Sequence, residues 1–149
     1  MSKSANNISG IVKNMQKFIK KNLHESLTSK NIADSVGYSQ YYTTRLFKEE
    51  TGLSPFEYIR QLRLTESAFA LRKNRTKILD IALDFVFDSH EGFTRAFSNA
   101  FGITPKKFAD YSSPKDWLIT YRYLDRNKLK SEGLRMETKT SFIFTQIIE

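Results

Sequence analysis

The chain has 149 residues, with 24 Lys and Arg against 16 Asp and Glu, a net charge of +8 and a pI near 9.7. That balance favours acidic partners, nucleic acid first among them. It has no cysteine and two histidines, His24 and His90, which excludes a disulfide framework and a Cys/His zinc site, and no apolar run resembles a leader or a membrane span.

In chain order, Ile8, Ile11, Val12, Met15 and Ile19 recur at helical spacing, while Lys13, Lys17, Lys20 and Lys21 lie mostly elsewhere on the wheel. Residues 8 to about 23 therefore read as an amphipathic helix whose lysines are either a solvated face or phosphate contacts. Thr28 caps a short helix through Val36, Gly37 can take the left-handed turn that ends it, and Ser39 caps the next helix through about Thr51. Helix, tight glycine turn, helix is the helix-turn-helix pattern. Ser54 and Pro55 then open a long helix through Arg72. On it Phe56, Ile59 and Leu62 cluster on one side and Leu64, Ala68 and Leu71 on the other, with Tyr58 and Phe69 fitting neither group. A stripe that changes face implies that each half of this helix serves a different small core. Two units of roughly fifty residues are each near the lower limit for independent folding, so a shared helix helps both.

After the polar break KNRT the pattern returns. Ile32, Ala33 and Tyr38 match Ile81, Ala82 and Phe87 at a spacing of 49, and after one inserted residue Arg45, Phe47, Gly52 and Pro55 match Arg95, Phe97, Gly102 and Pro105 at a spacing of 50. The expected fold is all-α: two helix-turn-helix lobes, about 8–54 and 73–111, joined by the linking helix 54–72, about seven helices in total within a domain 1–111. Leu46, Phe47, Phe97, Ile32, Ile81, Phe85 and Phe101 sit at core spacings. Residues 112–149 read as a linker and tail in which FIFTQII, Phe142 to Ile148, is a candidate β-strand. Such a strand would cover the lobes, pair with another copy, or begin an effector domain absent from this chain.

Ile32-Ala33, Gly37, Ser39, Leu46-Phe47-Lys48, Gly52, Pro55, Tyr58-Ile59, Arg63-Leu64, Asp80-Ile81-Ala82, Phe97, Gly102 and Thr104-Pro105 resemble, in order and spacing, the DNA-binding module of the AraC/XylS family of bacterial transcription regulators. The segment ILDIALDFVFDSHEGFTRAF resembles the subset whose DNA-binding half precedes a gyrase-inhibitor-like ligand-binding domain. The absence of cysteines and of a leader-like apolar run reads as a cytoplasmic protein, and the resemblance implies a sequence-specific regulator that places the second helix of each lobe in adjacent major grooves about one turn, ~34 Å, apart. The recognition helices would be Gln40 to about Glu50 and Ser89 to about Phe101. Implied partners are duplex DNA and RNA polymerase. An oligomer is not required for DNA binding, although the tail offers a route to one, and no cofactor or metal is implied.

Arg45 and Arg95 hold equivalent places in the two helices, where a guanidinium can meet guanine O6 and N7 with two hydrogen bonds. The alternative is an exposed arginine paired with a nearby carboxylate. Gln40, Tyr41 and Thr44 match further family contact positions, with Tyr41 either touching DNA or packing at the helix base; His90, Gly92 and Thr94 are their counterparts. Asp88 and Glu91 have the spacing of a capping box, which makes capping the expected role of Glu91. Gly92 costs about 1 kcal/mol against alanine, so close approach to DNA or a tight interhelix contact is expected there. Lys30 and Lys77 are candidate phosphate contacts near the starts of the first helices. Val86 departs from the family pattern, standing where Gly37 stands in the first lobe; a β-branched residue resists positive φ, so that turn is strained or built differently. No nucleophile–base constellation, glycine-rich phosphate loop or metal-ligand spacing points to an enzyme. The competing reading is a basic protein-interaction module for an acidic partner.

Overall fold

The computed structural model describes residues 2–73 and 77–110, which form seven α-helices: α1 Ser2–Lys21, α2 Ser29–Val36, α3 Gln40–Thr51, α4 Pro55–Lys73, α5 Ile78–Asp84, α6 His90–Phe101 and α7 Pro105–Asp110. The candidate strand Phe142–Ile148, the rest of the tail and most of the KNRT break lie outside the described residues. The main boundary error is at the start of α1, which begins at Ser2 and not at residue 8. Its first turns carry only Ala5 as an apolar residue before Ile8, so periodicity had almost nothing to register there.

The chain divides into two units after Arg60, inside α4. In the first, α1 packs on α2 and α3, and α2 on α3, burying Val12, Met15, Ile19, Ile32, Leu46 and Phe47. Local chemistry sets each boundary. Thr28 Oγ1 accepts from the Asn31 N–H at 3.1 Å while Asn31 Oδ1 accepts from the Thr28 N–H at 3.2 Å, a reciprocal capping box at the start of α2. Gly37, at φ 75°, ends that helix, and Gly52, at φ 81°, ends α3. Ser54 and Glu57 cap α4 reciprocally at 3.2 and 2.9 Å.

In the second unit α5 packs on α6 and α6 on α7, and the core is largely aromatic. Phe97, with no exposed surface, meets the rings of Phe101, Phe108 and Phe93 at 4.6, 5.6 and 5.7 Å between centroids, spacings at which tilted and edge-on rings attract. All seven expected core residues, Ile32, Leu46, Phe47, Ile81, Phe85, Phe97 and Phe101, are buried.

The apolar stripe of α4 does change face, with one correction. Ile59 and Leu62 are buried on one side and Leu64, Ala68 and Leu71 on the other, but Phe56 is half exposed. It sits in the first turn, where the helix has only just entered the core. Tyr58 takes its place: its ring lies 5.2 Å from that of Phe47, and burial pushes its phenol up to about 12.

The second helix-turn-helix settles the alternative posed by Val86. The residue stands at φ 64°, the only non-glycine with positive φ among the described residues. The flanking hydrogen bond matches the first lobe, Phe87 N–H to Ala82 carbonyl at 2.9 Å against Tyr38 N–H to Ala33 carbonyl at 3.3 Å. The second lobe thus builds the same turn as Gly37 with a residue that the turn strains.

Candidate nucleic-acid interface

A recognition helix needs an apolar side to hold it and a polar side to offer. On α3, Thr43, Leu46 and Phe47 are buried, while Gln40, Tyr41, Thr44, Arg45 and Lys48 are exposed on the other side. Tyr41, at 78% exposure, does not pack at the helix base. Tyr42 turns partly inward beside Tyr38, with ring centroids 5.2 Å apart. Arg45 sits over the Tyr42 ring at 5.9 Å and its Nε is 3.9 Å from a Glu49 carboxylate oxygen. Both groups of that ion pair are more than half exposed, so the contact orients the guanidinium more than it holds it. Lys48, one turn beyond Thr44, belongs to this surface and was not anticipated; its four-residue spacing from Thr44 was the signal.

On α6, Phe93, Ala96, Phe97 and Phe101 are buried, and His90, Glu91, Arg95 and Asn99 are exposed. Three expectations change here. Ser89, not Asp88, caps the helix, accepting the Gly92 N–H at 3.0 Å. That choice frees the Glu91 carboxylate from capping and leaves it on the outward surface, where the Tyr41 side chain stands in the first lobe. The tight interhelix contact offered for Gly92 is not found: among the described residues a Cβ there would meet Ser89 Oγ at 3.1 Å and no atom of another helix within 4 Å. Thr94 does not reproduce Thr44, because its hydroxyl is buried without a hydrogen-bond partner. Asn99 joins the outward set, again unanticipated.

The two lysines differ. Lys30 Nζ lies 2.7 Å from an Asp34 carboxylate oxygen, both exposed, so a phosphate would have to compete with that pair. Lys77 is exposed at the N-cap of α5, where its side chain makes no cap bond. Among the described residues no acidic or histidine cluster could hold a metal and no helix is long and apolar enough to cross a membrane.

Each of the two helices carries an exposed arginine, Arg45 and Arg95, at positions related by the internal repeat. Residues 32–111 match a family described as a helix-turn-helix domain. The chain is 41% identical over 98 residues to the TetD protein of transposon Tn10 from Escherichia coli, covering 66% of this chain and 71% of TetD. It is 36% identical over 91 residues to the multiple antibiotic resistance protein MarA of Salmonella typhimurium, covering 61% and 72%. The chain belongs to the AraC/XylS family. This AraC-type chain is therefore a DNA-binding transcription regulator with the all-α, two-helix-turn-helix fold, in a family of regulators and not of enzymes. Transcriptional regulator Rob of Salmonella typhimurium matches at 41% over 108 residues, but those cover 72% of this chain and only 36% of Rob. Among solved structures, an AraC-type regulator from Chromobacterium violaceum aligns with a TM-score of 0.66 at 28% identity, covering 70% of this chain and 96% of that one. The DNA-binding domain of AdpA in complex with a target DNA shares the fold, with a TM-score of 0.62 at 18% identity over 66% of this chain and 88% of that one. The reading as a basic module for an acidic protein partner gains no support from these relatives.

Proposed function

We propose that residues 1–111 read a bipartite operator, α3 in one major groove and α6 in the next along one face of the duplex, ~34 Å away. Arg45 and Arg95 recognise guanine by paired hydrogen bonds to O6 and N7. Gln40, Tyr41 and Thr44 contact the first half-site and His90, Gly92 and Thr94 the second, with Thr94 acting through its methyl or after its buried hydroxyl turns outward. Lys30 and Lys77 meet flanking phosphates. The observation that carries this reading is the exposure of Arg45 and Arg95 at positions related by the internal repeat. The chain acts in the cytoplasm and engages RNA polymerase beside the operator. Residues 112–149 lie outside the module, as a linker and the leading strand of an effector domain.

Selection from random duplexes tests it: the enriched sequences should hold two half-sites about one helical turn apart, each with a guanine that depends on one arginine. Enrichment of a single compact site would overturn it.

A further inference from the structure

The charge of this protein is concentrated where the operator reading does not use it. Helix α1 carries five lysines in 20 residues and no Asp or Glu. Its apolar stripe, Ile11, Val12, Met15 and Ile19, is buried against α2 and α3, so the opposite side faces solvent. That side holds Lys13, Lys17, Lys20 and Lys21, all exposed. None of the four stands in an ion pair among the described residues. Lysines three and four apart on one helix face repel one another, and a polyanion laid along them relieves that repulsion.

Resting on the reading of α3 as an operator helix, we propose that the lysine face of α1 binds the phosphates of a second duplex segment, so that a protein seated on its operator bridges two stretches of DNA. The direction of the two faces selects this occupant. The buried side of α3 and the buried side of α1 meet in the same small core, so the operator face and the lysine face lie on different sides of the unit. With helices ~10 Å across between them, a straight duplex seated on α3 does not reach the lysines, and a flank could do so only by bending back around the unit. Binding of this kind is sequence-independent and salt-sensitive, because each neutralised phosphate releases counterions.

The test uses the full chain held one-to-one on an immobilised duplex with the complete bipartite site, so that α3 and α6 are both occupied. A fluorescent duplex of unrelated sequence is then offered at low salt. Capture is expected with the wild type and with a variant carrying arginine at positions 13, 17, 20 and 21. The Lys13→Gln/Lys17→Gln/Lys20→Gln/Lys21→Gln variant should stay on the site duplex with the same base preference. Its capture should fall at least tenfold, with a log affinity against log salt slope shallower by about 3 to 4. Lys13→Gln/Lys17→Gln should also lose more capture than Lys106→Gln/Lys107→Gln, which removes the same charge elsewhere. Absence of capture by the wild type, equal capture by the quadruple glutamine variant, or preferential binding of polyglutamate would each overturn the proposal while leaving the operator reading standing. Failure of the wild type to remain on the site duplex would overturn both.

Discussion

The two lobes build one motif from different materials. In the first, Gly37 supplies the left-handed turn, Thr28 and Asn31 form a reciprocal cap, and the exposed positions 30 and 34 of α2 hold an ion pair. In the second the same turn is made by Val86, Lys77 makes no side-chain cap bond, and the equivalent exposed positions are Leu79 and Leu83. At these three points local chemistry favours the first lobe, and the second offsets the deficit with rings: Phe97 meets Phe93, Phe101 and Phe108. Packing over a few large side chains can hold a backbone that its own sequence disfavours.

The sharpest way to break the comparison is to remove that compensation. Phe97→Ala should cost about 3 to 5 kcal/mol, enough to unfold α5 to α7, while amide-exchange protection in α1 to α3 persists. If both lobes lose protection together, they are not separate cores. Next in size are the arginines. Arg45→Ala should cost about 1 to 3 kcal/mol at its own half-site and relax base preference only there, with Arg95→Ala doing the reciprocal. Equal weakening on every sequence, measured by competition binding, would demote both to phosphate contacts.

Val86→Gly should stabilise the second lobe by on the order of 1 kcal/mol, since relief of a left-handed β-branched residue outweighs the added chain entropy of glycine. A lower Tm would show that the valine side chain contributes more by packing than its backbone loses. Tyr58 gives a difference confined to alkaline pH. Its phenol is raised to about 12 in the folded protein from an ordinary value of 10.0. The folded state therefore binds more proton than the unfolded state between those values, and the associated stability, intact below pH 10, is lost as pH rises towards 12. Denaturation from pH 9 to 11 should show Tyr58→Phe losing less stability than the wild type; parallel curves would refute the assignment. The smallest expected effect is none: deleting residues 112–149 should leave the fold and operator affinity unchanged, and loss of either would move the module's boundary into the tail.

Most of the fold was legible because its signals are local. The caps at Thr28 and Ser39, the glycines at 37, 52 and 102, and the offset between Arg45 and Arg95 are readable without coordinates, because each depends on hydrogen bonds or backbone angles within a few residues, or on a repeat. The start of α1 was not legible, since a polar turn has no period. The cap of α6 was misassigned because Asp88 and Ser89 are both good caps, and only the backbone's path into the helix chooses between them.

Composition and pattern alone determined that this chain is basic, helical and twice repeated, and the resemblance of its motif residues pointed to the AraC type. Tertiary structure alone decided which side chains reach solvent. It put Phe56 out and Tyr58 in, turned the Thr94 hydroxyl inward while leaving Thr44 exposed, released Glu91 from capping, and held Val86 at φ 64°. Each of these outcomes depends on neighbours distant in sequence or on the exact path of the backbone, and burial and strain are properties of a packed whole that no local pattern encodes.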